Sequence, residues 1–143
     1  MEFLDKIKTP ADIKKLDINQ LKVLAKEIRQ VILDTVIENG GHLASSLGAV
    51  DIILAMHYCF DAPNDKFLFD VGHQAYAHKI LTGRMEQFSS LRQLNGVAGF
   101  PKRSESEYDV ANTGHSSTSL SLACGISRAL ILDNKDNIEI SLI

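Results

Sequence analysis

Lys66-Phe67-Leu68-Phe69-Asp70-Val71 is a short run of aromatic and branched apolar side chains, and it reads as a β-strand. Ile138-Glu139-Ile140-Ser141-Leu142-Ile143 is a second run of the same kind. Between them, Ser116 to Leu132 is rich in Ser, Ala and Leu and reads as a helix. Strands joined through helices lie parallel, so the fold class is α/β, a parallel sheet flanked by helices. Working back towards the N-terminus, Leu21, Leu24, Ala25, Ile28, Ile32 and Val36 recur in steps of three and four, which predicts an amphipathic helix. Asp17 is its candidate N-cap and Asn39-Gly40-Gly41 its stop. A further helix starts near Ser45-Ser46, carries Val50, Ile53, Leu54, Met56 and His57, and ends before the turn signal Asp61-Ala62-Pro63-Asn64. Gly72-His73 closes the first strand. A short helix then runs from Gln74 to Leu81 and ends at Gly83, and another over 84–94 uses Met85, Phe88, Leu91 and Leu94. Thr9-Pro10 predicts a bend, 95–113 a long loop and Asp133 to Asn137 a turn.

Composition narrows the function classes. At 143 residues, 45% apolar and 23% charged, the chain is ordinary globular protein, with enough length to bury a core. Fifteen Lys and Arg against 18 Asp and Glu give no basic surplus for nucleic acid. No apolar run approaches the ~20 residues that span a bilayer, and no secretory leader is visible at Met1-Glu2-Phe3-Leu4-Asp5. Cys59 and Cys124 have neither CxxC nor zinc spacing and are expected to be buried thiols of a cytoplasmic protein.

Glycine meets histidine three times at element boundaries: Gly40-Gly41-His42, Gly72-His73 and Gly114-His115. Glycine lets backbone approach a ligand closely, and histidine moves a proton near neutral pH. The three pairs are therefore candidates for one shared site, whereas His57 and His78 lie within helices and are expected to be structural. Gly114-His115-Ser116-Ser117-Thr118 opens a helix, whose free N–H groups suit a phosphate. No acid stands three residues on to complete a capping box, so no internal carboxylate is expected at that end. HExxH and GxSxG are both missing, which disfavours a zinc site through His42, His73 and His115 and a serine hydrolase. Lys102-Arg103 reads as a solvated loop.

Four runs carry a resemblance: GGHLASSLGAVD (40–51), FDVGHQAYAHKILTGR (69–84), GFPKRSESEYD (99–109) and TGHSSTSLS (113–121). In order and spacing they resemble the 1-deoxy-D-xylulose-5-phosphate synthase family, thiamine-diphosphate enzymes of the transketolase group, in its N-terminal part. The resemblance covers the chain from about residue 10 onward and implies that 1–143 is the N-terminal part of a diphosphate-binding domain, incomplete at its C-terminus. It implies condensation of pyruvate with D-glyceraldehyde 3-phosphate to 1-deoxy-D-xylulose 5-phosphate and carbon dioxide, in a cytoplasmic homodimer. By the same resemblance His73, Gly114, His115 and Ser116 would contact thiamine diphosphate, and His42 would face the substrate and assist proton transfer. The family's Mg²⁺ ligands and pyrimidine-binding domain would lie beyond Ile143, so the chain alone is expected to be inactive. Two alternatives stay open: another transketolase-type enzyme, and a shortened non-catalytic paralogue that binds a partner.

Overall fold

A computed structural model describes residues 1–135 and 137–143; Asp136, within the turn expected at 133–137, lies outside the described residues. The chain divides into two compact units, Met1–Cys59 with His73–Gly99, and Phe60–Gly72 with Phe100–Ile143.

The first unit is helical. Thr9-Pro10 does not merely bend the chain: it starts a short helix, α1 (Pro10–Ile13), because the Asp12 carboxylate accepts the N–H groups of Lys8 and Thr9 at 3.1 Å each. α2 (Ile18–Asn39) begins at Asp17, whose carboxylate accepts from Asn19 and Gln20 at 2.8 and 2.9 Å. It ends where Gly40 takes φ +75°, a left-handed value that a side chain would resist. Leu24, Ala25, Ile28, Ile32 and Val36 form its buried stripe. The next helix is broken at Ala49 into α3 (Leu43–Gly48) and α4 (Val50–Cys59), so it starts two residues before Ser45. Arg29 grips Asp51 with two bonds, 3.1 and 2.8 Å, tying α2 to α4 and holding the Asp51 carboxyl below its ordinary range. Glu27 accepts the N–H groups of Glu2, Phe3 and Leu4 and pins the N-terminal turn to α2.

In the second stretch of this unit α5 (Tyr76–Lys79) is shorter than the expected 74–81. The backbone leaves helical geometry at Thr82 and at Gly83, φ +88°. Residues 85–90 form a tight 3₁₀ turn in place of a helix over 84–94. Phe88 and Leu91 are buried, but Leu94 is 92% exposed, so the apolar spacing there did not mark one face.

The second unit holds β1 (Lys66–Leu68), α6 (Thr118–Leu132) and β2 (Ile140–Leu142). The strands pair in parallel, Lys66 opposite Ile140 and Leu68 opposite Leu142, as expected of the α/β class. Both are shorter than the apolar runs that signal them. β1 stops because Gly72 N–H bonds the Asp70 carbonyl at 2.6 Å, closing a three-residue turn with Val71 at φ +59°. A β-branched residue in that region is strained. The expected long loop is ordered over 100–113 by buried Asp109, which accepts Lys102 N–H at 2.8 Å, and by Asn112, which accepts Arg103 N–H at 2.8 Å.

Cys59 and Cys124 are both exposed, not buried. Cys59 is the last residue of α4, and Cys124 lies within α6 beside a groove shared with Ile138 and Ile140. No helix among the described residues is long and apolar enough to cross a membrane.

Candidate functional site

The first unit brings together the histidines of two of the three Gly-His pairs. The end of α2 delivers Gly40 and Gly41, and His42 then occupies the N-cap position of α3. His73 opens the second stretch of the unit. Its carbonyl accepts the hydroxyls of Ser45 and Ser46 at 3.3 and 3.0 Å, so the first turn of α3 is laced to the His73 backbone. The imidazoles of His42 and His73 meet edge to face, 5.6 Å between centroids and 80° between planes. His42 is exposed and His73 half-buried. His73 Nδ1 is itself buried and has no hydrogen-bond partner among the described residues. Buried polar atoms are nearly always paired, so an orphan of this kind calls for a ligand or water.

His57 and His78 behave differently. Both lie in helices and both are buried, at 0 and 1% exposure. His57 Nε2 and His78 Nδ1 are 3.0 Å apart and the rings stack at 5.1 Å. Burial, then the neighbouring His78, Arg84 and Lys14 charges, pushes the His57 pKa well below its ordinary value.

The third pair belongs to the second unit. Gly114, His115 and Ser116 precede α6 and are exposed. The helix begins later than expected, at Thr118, because Ser117 stands at φ +66° and cannot be helical. The expectation that no carboxylate fills this helix end is wrong. Asp70, from the end of β1, accepts the Ser119 hydroxyl at 3.0 Å and lies 3.5 Å from Ser119 N–H. The backbone N–H of Ser117, then the Ser119 hydroxyl and the N–H groups of Ser119 and Thr118, hold its carboxyl below the ordinary range. No local pattern signals this cap, since it comes from 49 residues away.

What remains open for a ligand is the segment just before the helix. An open groove is lined by Thr113, Gly114, His115, Thr118 and Leu122. Thr113 Oγ1 is buried with no partner among the described residues. A Cβ at Gly114 would meet nothing within 4 Å, and its φ is not left-handed, so neither packing nor backbone demands glycine here. Gly72 is the opposite case: at φ +88° a Cβ would lie 2.3 Å from Thr113 Oγ1 and 2.5 Å from Pro101 Cδ. Among the described residues no group of three His, Cys, Asp or Glu is placed to hold a metal ion.

Comparison with known proteins bears on what this arrangement serves. A family model described as 1-deoxy-D-xylulose-5-phosphate synthase matches residues 4–143. The 1-deoxy-D-xylulose-5-phosphate synthase of Desulfotalea psychrophila is 56% identical over 141 residues, 99% of this chain and 22% of the relative. 1-Deoxy-D-xylulose-5-phosphate synthase 1 of Geobacter sulfurreducens is 54% identical over 141 residues, with the same two shares. That of Syntrophus aciditrophicus is 59% identical over 127 residues, 89% of the chain and 20% of the relative. The chain thus spans about a fifth of the length of the curated relatives it matches.

Proposed function

The chain belongs to the 1-deoxy-D-xylulose-5-phosphate synthase family, and from that premise we propose that residues 1–143 serve, as the N-terminal part of a diphosphate-binding domain, the thiamine-diphosphate-dependent condensation of pyruvate with D-glyceraldehyde 3-phosphate. The products are 1-deoxy-D-xylulose 5-phosphate and carbon dioxide. The enzyme is a transferase and, in this proposal, a cytoplasmic homodimer.

The observation that carries the proposal is the His42–His73 pair with its orphaned, buried Nδ1. His73 is assigned a contact to thiamine diphosphate, which would supply the missing partner. Gly114, His115 and Ser116 are assigned contacts to the same cofactor. The glycine without a local packing reason supports this, as does the unpartnered Thr113 hydroxyl beside it. The N–H groups at 117–119 are not assigned to the diphosphate, because Asp70 already takes them. When bound, thiamine diphosphate supplies the carbanion chemistry that a protein side chain cannot. His42, exposed and 5.6 Å from His73, is assigned to face the substrate and to hold or deliver a proton there. Magnesium would neutralise the diphosphate, and no residue of 1–143 is assigned to it.

The test is a chimera in which residues 1–143 replace the matching part of the Desulfotalea psychrophila synthase. It should form 1-deoxy-D-xylulose 5-phosphate from the two substrates. His73→Ala should weaken thiamine diphosphate binding, and His42→Ala should lower kcat about 100-fold or more with cofactor binding kept. A folded chimera that binds the cofactor and makes a different product would instead favour another transketolase-type reaction. One in which His42→Ala and His73→Ala change nothing would overturn the residue assignments.

A further inference from the structure

We infer that Tyr76 is a positioning residue whose hydroxyl sets where His42 stands against His73; the inference rests on the role proposed above for His42. Tyr76 is fully buried on α5, and its ring packs edge to face on Phe88 with centroids 5.9 Å apart. Ring packing of this kind leaves the phenol little rotamer freedom and makes its oxygen a fixed point. The His42 N–H donates to that oxygen at 3.3 Å.

The preceding residue shows how closely backbone and phenol approach. Gly41 stands at φ +147°, where L side chains are rare, and a Cβ on it would lie 2.7 Å from Tyr76 Oη and 3.4 Å from Val36 Cγ2. A glycine is needed at 41 because the tyrosine hydroxyl occupies the space a side chain would take. Gly41 and Tyr76 are therefore two halves of one contact, one making room and the other filling it.

The same two segments are laced a second time in the opposite sense. Ser45 and Ser46, just after His42, donate to the carbonyl of His73, three residues before Tyr76. Each histidine backbone is thus held by a hydroxyl from the other's segment. Relative placement of the two rings depends on both links, since either alone would leave one segment free to slide. Tyr76 supplies the link to His42, a part-buried bond accepted by a phenol whose ring is fixed in the core.

The experiment is Tyr76→Phe, which keeps the ring and removes only the hydroxyl, followed by NMR on the chain. The His42 amide should exchange with solvent about fivefold faster. The contact between the His42 and His73 rings should weaken, while the ring signals of His57 and His78, in the same unit, stay where they are. Gly41→Ala, which pushes on the same contact from the other side, should give the same His42 signature and is the second variant should Tyr76→Phe fold poorly. Unchanged His42 signals in both variants would overturn the inference, as would changes of equal size at His57 and His78, which mark general loosening. None of these readouts needs cofactor. A wild-type chimera of the kind described above that binds no thiamine diphosphate in the presence of Mg²⁺ counts against the proposed function, and is distinguishable from either outcome above.

Discussion

Within the first unit two histidine pairs use the same side chain in opposite ways. In the His57–His78 pair the rings stack, bond each other at 3.0 Å and are shut away from water. In the His42–His73 pair the rings stand edge on at 5.6 Å, one exposed and the other half-buried. In the first pair the imidazoles are each other's partners, and the geometry comes from side chains. In the second the geometry comes from backbone: glycines at 40 and 41, serines on the His73 carbonyl and a phenol on the His42 N–H. A histidine pair bonded ring to ring and shut away from water serves the fold. One held apart by its surroundings is left with hydrogen-bonding capacity for something else.

The largest effect should come from setting the two pairs against each other by truncation. His78→Ala removes a buried ring and its bond to His57, and should cost about 3 kcal/mol in chemical denaturation. His42→Ala removes an exposed ring and should cost less than about 1 kcal/mol. Equal costs would break the distinction.

Gly41→Ala should be next, at about 2 kcal/mol, because φ +147° and the 2.7 Å approach of Tyr76 Oη both oppose a methyl group. Gly48→Ala is its control. A Cβ there meets nothing within 4 Å and the residue lies in α3, so stability should hold or rise by up to about 1 kcal/mol.

Acid should also separate the pairs. Burial, followed by His78, Arg84 and Lys14, keeps His57 from taking up a proton in the folded chain, while the unfolded chain takes one up near pH 6.5. Unfolding then absorbs a proton, and stability falls as the pH drops below about 6.5 towards the depressed folded value, by about 1.4 kcal/mol per pH unit. Denaturation curves of His57→Gln between pH 7 and 5 should be flatter than those of the wild type. A parallel slope would mean that other groups carry the acid response.

The smallest effect sharpens the comparison from the backbone side. Ser46→Ala removes the 3.0 Å bond to the His73 carbonyl and should cost about 1 kcal/mol, read from thermal unfolding. It should also loosen the His42–His73 ring contact in NMR without disturbing His57 or His78.

What could be read from sequence follows the range of the forces involved. The cap at Asp17 and the stripe from Leu24 to Val36 are local, so periodicity and one side chain suffice to place α2. The late start of α6 is decided at a distance. Asp70 takes the N–H groups at the head of α6 from 49 residues away, and no local pattern contains that contact. Leu94 shows the converse: its spacing is helical, yet the turn at 85–90 is too tight to keep it on the buried face. At the site, the Gly-His repeat pointed to His42 and His73, which share the first unit, and to Gly114 and His115 in the second. Tyr76 went unnoticed because an aromatic residue at a buried helix position looks like any core residue. Only the glycine opposite it marks the contact, and glycine at 41 is equally explained by the helix stop it adjoins.

The parallel ladder has a consequence in time. Asp65 and Glu139, bonded at the start of the ladder, are 74 residues apart in the chain. At roughly 5–20 residues per second of synthesis, β1 leaves the ribosome about 4–15 s before the strand it pairs with exists. For that interval Phe67, Leu68 and Phe69, all buried in the finished fold, have no strand to pair with. The helices of residues 1–59, made earlier and rich in local contacts, can form meanwhile. A nascent chain halted near residue 120 should therefore be more prone to capture by chaperones than one halted a few dozen residues after Ile143.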